Sequence, residues 1–283
     1  MAYKADKENV VTTTKLVEMK QKGVKIAAAT AYDAPTAKLL NEAGVDVVLV
    51  GDSVGMVKLG YESTLPVTLD EILHHVKAAK RGNSRALLVA DMPYLSYELD
   101  VKEAVRNAGR LVKEGGAQAV KLEGGLEIAP VIKELLKVNI PVMGHLGLTP
   151  QAVNRLGGFK VQGRKPQDAE KILTDAKILE GTGIFSLVLE CVPTGLAREI
   201  TRKLTVPTIG IGAGAHCDGQ VLVSDDLWGM GEGPALKFVK RYAELRPQML
   251  KAAQAYCGEV KSGAFPSSEH EFSDAPKPDR LSA

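Results

Sequence analysis

The sequence predicts an α/β protein built as a closed (β/α)8 TIM barrel. Three observations carry that expectation. Eight short apolar runs rich in Val, Ile and Ala recur along the 283 residues. They alternate with segments of helical spacing, the pattern of parallel strands joined by crossover helices. The runs themselves show little apolar/polar alternation, as expected of strands covered on both faces. Eight such units favour closure into a barrel, with a doubly wound open sheet of fewer true strands as the alternative. Length does not divide the chain, because barrels of this size fold as single domains.

In chain order, TTTKLVEMKQKG (12–23) reads as a capped opening helix that either closes the barrel floor or joins a neighbouring subunit. KIAAATAY (25–32) is the first strand, and APTAKLLNEAG (34–44) is its helix, ending in a Gly suited to the C′ position. VDVVLVG (45–51) runs into Asp52 and Ser53, and LDEILHHVKAAKRG (69–82) follows, with Asp70 read as a cap or turn residue. ALLVADMP (86–93) precedes VKEAVRNAGRLVKEGG (101–116), and AQAVKLEG (117–124) precedes IAPVIKELLKVN (128–139). After PVMGHLGL (141–148) comes a long loop, PQAVNRLGGFKVQGRKP (150–166), which on the catalytic face is either a lid or an inert excursion. QDAEKILTDAKILEGTG (167–183) then leads to SLVLECV (186–192), TIGIGAG (208–214) and QVLVSDDL (220–227). The end is rich in Ser, Pro and charge. The chain is therefore expected to divide into a barrel, 1–257, and a flexible polar tail, 258–283.

Composition narrows the function. Hydrophobic residues at 45% and charged residues at 25% are ordinary globular values. A net charge of +2 and 5% aromatic residues give neither the field nor the stacking surface that nucleic-acid binding needs. The polar N-terminus lacks an apolar signal core, and no stretch approaches the ~18 to 20 apolar residues of a membrane span. Cys191, Cys217 and Cys257 lie far apart without CxxC spacing, which argues for a reducing, cytoplasmic setting over disulfides or a zinc site.

In a barrel the chemistry sits at the carboxyl ends of the strands. Asp52 and Ser53, Asp91, Lys121 and Glu123, His145, and Glu190 fall at those ends of runs two to six. Lys121, flanked by Ala119, Val120 and Leu122, must be paired or reach the mouth, and Glu123 two residues on points to the same side as an ion-pair partner. His145 alone reads as a hydrogen-bonded core residue as readily as a ligand. Glu190 closes an apolar run, so desolvation is expected to raise its pKa toward that of a general base.

Two aspartates without a close histidine pair favour a hard ion, Mg2+ or a relative, with Glu123 acting through water. An ion held this way polarises a carbonyl and stabilises an enolate. Glu190 then removes the α-proton of an oxo acid whose carboxylate rests on Lys121 and Ser53. GIGAG (210–214) lacks full GxGxxG spacing and an ensuing helix, so it reads as a turn leaving room for ligand. Carbon–carbon cleavage of another oxo acid is a second reading. A noncatalytic ligand-binding or oligomeric assembly scaffold is a third, and it predicts loss of one of these carboxylates.

The segments GDSVGM, STLPVTLDE, ADMPYLSY, VKLEGG, GHLGLTPQ, VQGR, LVLECVP, IGIGAG and DGQVLV, in order from about Thr12 to Lys251, closely resemble the ketopantoate hydroxymethyltransferase family. The resemblance implies a (β/α)8 barrel that transfers a hydroxymethyl group from 5,10-methylenetetrahydrofolate to 2-oxoisovalerate, giving 2-dehydropantoate in pantothenate biosynthesis. It implies that Asp52 and Asp91 ligate Mg2+ with Glu123 in its outer sphere, that Ser53 and Lys121 bind the oxo acid, and that Asp91 and His145 lie beside it. Glu190 would take the C3 proton. The resemblance also implies a large homo-oligomer, a decamer built from pentamers, with no nucleic-acid or membrane partner. Ser224-Asp225-Asp226 stands where many members carry a His-Asp pair, and Tyr94 and Glu98 stand where Phe and Gln are frequent.

Overall fold

The computed structural model describes residues 10–272. Its elements are α1 (Thr13–Gln21), β1 (Ile26–Thr30), α2 (Ala34–Glu42), β2 (Val47–Val50), α3 (Val54–Val57), α4 (Leu69–Gly82), β3 (Leu87–Asp91), α5 (Val101–Lys113), β4 (Ala119–Glu123) and α6 (Ala129–Lys137). They continue with β5 (Val142–Gly147), α7 (Val153–Leu156), α8 (Pro166–Thr182), β6 (Ser186–Glu190), α9 (Thr194–Lys203), β7 (Thr208–Ile211), β8 (Gly219–Leu222), α10 (Ser224–Leu227) and α11 (Leu245–Ser262). Each strand pairs in parallel with the next, and β8 returns to β1, so the sheet closes as expected.

Residues two apart on a strand share a face, and here that parity sorts the strands into two apolar clusters. Ile26, Val47, Leu49, Leu87, Val89, Ala119, Met143, Val188, Ile209 and Val221 fill the lumen. Ala29, Val48, Val50, Leu88, Ala90, Val120, Leu122, Val142, Leu187 and Leu189 point outward to the helices. With both parities buried, the runs carry no visible alternation in sequence.

Leu16 and Met19 of α1 join the lumen cluster. Of the two roles open to this helix, closing the barrel floor is therefore met within the chain. Lys20 Nζ locks it there, donating to Thr201 O (2.8 Å), Val206 O (3.0 Å) and Asp218 Oδ2 (2.9 Å). α4 starts on a capping box, in which Thr68 Oγ1 accepts from Glu71 N–H and the Glu71 carboxylate accepts from Thr68 N–H. Asp70 is thus not the cap. It lies in the first turn and pairs with Arg110 at 2.8 Å.

The expected domain boundary at residue 257 falls inside α11, which continues to Ser262. Of the expected tail, residues 273–283 lie outside the described residues. α11 buries none of its residues in the chain and exposes Met249, Leu250, Tyr256 and Val260. Among the described residues no helix is long and apolar enough to cross a membrane.

Candidate active site

The lumen parity continues upward, but its chemistry changes. Asp91 stands two residues past Val89, Lys121 and Glu123 stand two and four past Ala119, His145 two past Met143, and Glu190 two past Val188. Strand register sets their levels, with Asp91 opposite Lys121, Glu123 opposite His145, and Gly147 opposite Glu190. Asp52 and Ser53 enter from the turn after β2. Gly51 leaves them room, since a Cβ there would lie 3.3 Å from Asp91 Oδ2 and 2.9 Å from Ser53 Oγ. Asp52, Asp91, Lys121, Glu123 and His145 are all buried.

The expected Lys121–Glu123 ion pair is present, but a second carboxylate lies closer to the ammonium. Lys121 Nζ lies 2.5 Å from Asp91 Oδ1 and 3.8 Å from Glu123 Oε1. The close partner is the residue across the sheet, because direct cross-strand neighbours sit nearer than same-strand residues two apart. Glu123 also faces His145. Its Oε1 is 3.2 Å from His145 Nδ1, while Glu190 Oε2 is 3.2 Å from His145 Nε2. Neither contact meets hydrogen-bond direction. The Glu190 side chain is 16% exposed, unlike the buried carboxylates beside it.

Three residues not read as functional from the sequence complete the site. Gln151, buried just past β5, donates from Nε2 to Asp52 Oδ2 (2.9 Å) and Met92 O (3.0 Å), and from its backbone N–H to Glu123 Oε2 (3.1 Å). Its Oε1 accepts from Tyr97 OH at 2.7 Å, and that hydroxyl accepts from Glu123 N–H at 3.2 Å. Tyr32 OH lies 2.9 Å from Ser53 Oγ. A polar residue in a loop gives no local signal of such links. Only the place of Gln151 in GHLGLTPQ and of Tyr97 in ADMPYLSY pointed to them.

The backbone at Glu190 is constrained. Gly147 has φ +97°, and a Cβ there would overlap Glu190 O, the atom that accepts from Leu148 N–H at 2.9 Å. Cys191 holds φ 47°, a conformation costly for a residue with a Cβ.

Burial, then the charges of Asp91 and Glu123, push the Asp52 carboxyl up to about 8. Burial also raises Asp91, although Lys121 opposes it. For His145, burial and Lys121 oppose the charged form, but Glu123 and Glu190 outweigh them and lift the imidazole to about 9. Burial works against charge on Lys121 too, and Asp91 and Glu123 overcome it. The Asp52 end therefore holds more carboxyl groups than its cations could balance were all of them ionised, and Asp91 Oδ1 has no hydrogen-bond donor meeting full geometry. A divalent cation fits that donor set. Among the described residues no three carboxylate, imidazole or thiol side chains converge enough to hold an ion alone. Two aspartates would leave most of an octahedron to ligand oxygens and water.

Asp225, in the Ser224-Asp225-Asp226 run, pairs with Lys58 at 2.7 Å and adjoins Tyr32.

Residues 10–268 match the family model described as ketopantoate hydroxymethyltransferase. The chain is 56% identical over 267 residues to 3-methyl-2-oxobutanoate hydroxymethyltransferase of Carboxydothermus hydrogenoformans, covering 94% of this chain and 97% of that one. It is 56% identical over 262 residues to the enzyme so named from Syntrophus aciditrophicus, covering 93% and 96%. Among solved structures, phosphoenolpyruvate phosphomutase from Streptomyces platensis subsp. rosaceus superposes with TM-score 0.59 at 14% identity over 92% of each chain. A 2,3-dimethylmalate lyase superposes with TM-score 0.57 at 12% identity, over 94% of this chain and 92% of that one. Those structures share the barrel alone. With the family model spanning the barrel and relatives above half identity over nearly its whole length, this chain belongs to the ketopantoate hydroxymethyltransferase family.

Proposed function

We propose that this chain is a 3-methyl-2-oxobutanoate hydroxymethyltransferase, as its relatives are named. In this reading 5,10-methylenetetrahydrofolate donates the one-carbon unit, and the product is 2-dehydropantoate, made for pantothenate biosynthesis. The observation that carries it is the separation of roles inside one lumen: a buried aspartate pair on one side and Glu190, partly open to the mouth, on the other, linked through Glu123 and His145.

Asp52 and Asp91 would hold Mg2+, with Glu123, already engaged by His145 and Gln151, reaching it through water. When bound, the ion supplies Lewis-acid polarisation of the keto group. Lys121 and Ser53 hold the carboxylate of the oxo acid and orient C3 toward Glu190. Glu190 takes the C3 proton. Water breaks both C–N bonds of the donor's methylene carbon, freeing tetrahydrofolate and leaving that carbon as formaldehyde. C3 adds to it while the aldehyde oxygen takes up a proton as the new hydroxyl. His145 lies 3.2 Å from Glu190 and next to the new hydroxyl. Gln151 and Tyr97 hold the carboxylates in place, so little reorganisation accompanies the reaction.

The exposed apolar residues of α11 support assembly into a large homo-oligomer, a decamer in this reading. Free Cys191, Cys217 and Cys257 support a reducing, cytoplasmic setting.

The test separates enolisation from transfer. With Mg2+ in deuterated water, the protein should wash deuterium into C3 of 3-methyl-2-oxobutanoate without folate, and should form 2-dehydropantoate once the donor is added. Absence of both across several divalent ions overturns the reading.

A further inference from the structure

The loop between β5 and α8 is pinned to the site at both ends. At its start Gln151 bonds Asp52 and Glu123. Toward its end Gln162 N–H donates to Cys191 O at 2.9 Å, next to Glu190. Residues 152–161 therefore arch beside the mouth, and they leave Phe159 55% and Val161 40% exposed. The neighbouring β3–α5 loop exposes Tyr94, 40%, and is tied to the first loop at its base by the 2.7 Å bond from Tyr97 to Gln151.

Charge on this arch has one sign. From Ala152 to Lys165 the chain holds Arg155, Lys160, Arg164 and Lys165 and no Asp or Glu. All four are exposed, and none makes an ion pair among the described residues. Arg155 lies near Glu127, which leaves Lys160 and Arg164 as the cations nearest Phe159 in sequence without such a neighbour. An exposed aromatic beside unpaired cations suits a ligand with a flat ring and a carboxylate tail, through stacking and charge-assisted hydrogen bonds. A folate has both.

We propose that this arch is the docking site of the folate co-substrate, with an aromatic ring of the folate against Phe159, Tyr94 on the facing loop, and the glutamyl carboxylates on Lys160 and Arg164. The proposal rests on the transfer reaction proposed above. It predicts that triglutamyl methylenetetrahydrofolate binds more tightly than the monoglutamyl form, with KM rising as salt screens the tail.

Steady-state transfer and C3 deuterium exchange, measured on the same preparations, test it. Phe159→Ala should raise the donor KM about tenfold, the size of one lost stacking contact. Lys160→Gln with Arg164→Gln should raise it severalfold and abolish the preference for triglutamate. Exchange needs no donor, so transfer should fall relative to exchange in both variants. Equal loss of exchange and transfer would place the loop on the oxo acid and overturn the proposal, as would an unchanged donor KM. If sedimentation showed dissociation of the oligomer with donor KM intact, the arch would be a contact between copies. Wild-type protein inactive in both assays would instead overturn the transfer reaction.

Discussion

The two halves of the barrel lumen are built from the same strands on the same parity, yet they do opposite work. Below, Leu87, Val89, Ala119, Met143 and Val188 meet Leu16 and Met19 of α1 in a dry plug. Above, two or four residues further along those strands, stand Asp91, Lys121, Glu123, His145 and Glu190. The lower half stabilises by removing apolar surface from water. The upper half spends part of that stability on holding like charges together out of water. A site this unfavourable in isolation persists because the plug beneath and the helices outside hold its walls.

The contrast predicts that upper-half substitutions cost chemistry and lower-half ones cost stability. The largest effect belongs to Glu190→Gln, which should slow C3 exchange by about 10²- to 10⁴-fold, the usual range for a positioned base, with Tm nearly unchanged. Exchange within a factor of a few of wild type would remove Glu190 from the reaction. Next, Leu87→Ala or Leu16→Ala should cost about 2–5 kcal/mol of stability in denaturant melts while the exchange rate of the folded enzyme holds. A lower-half variant that is fully stable yet inactive would erase the division between the halves.

The smallest effect is a reversal of sign. Asp52, raised to about 8 when folded, is an acid with an unfolded value near ~4, so its contribution is present at low pH and lost as pH rises through that interval. His145, a base raised to about 9, contributes stability below about 6.5 that is lost as pH climbs through its folded value. Both act in one direction. Metal-free protein should therefore lose Tm between about pH 6 and pH 9, and Asp52→Asn should flatten that slope and stabilise the metal-free form near pH 8. Mg2+ should stabilise wild type by about 2.7 kcal/mol at a hundredfold excess over Kd, and Asp52→Asn much less. A Tm that rises with pH in the metal-free protein would contradict this account of the charge balance.

Much of the site was legible in the chain because a strand reports its own inconsistencies. A lysine amid Ala119, Val120 and Leu122, and a glutamate closing SLVLE, stand out as ionisable groups where apolar ones belong. The partners were less legible. Lys121 pairs with Asp91 on the adjacent strand because barrel stagger sets those two side by side, and no spacing along one strand encodes stagger. Gln151 reaches Asp52 across 99 residues of sequence, from a loop whose composition looks like any surface connection. The opening helix carries an apolar stripe that fits either a barrel floor or a neighbouring subunit, and only the packing of Leu16 and Met19 with the lumen residues distinguishes them. Polar composition at the end of the chain resembles disorder, yet α11 stays helical to Ser262 while burying none of its residues in the chain.

Periodicity, turn residues and capping are local, so eight strands, their helices and the chemistry at the strand ends could be read from neighbours in the chain. The pairing of the charges, the sealing of the floor and the anchoring of the β5–α8 loop beside the mouth depend on register and closure. Those distances come into existence when the eighth strand meets the first, since only then do side chains remote in sequence share one lumen and one dielectric.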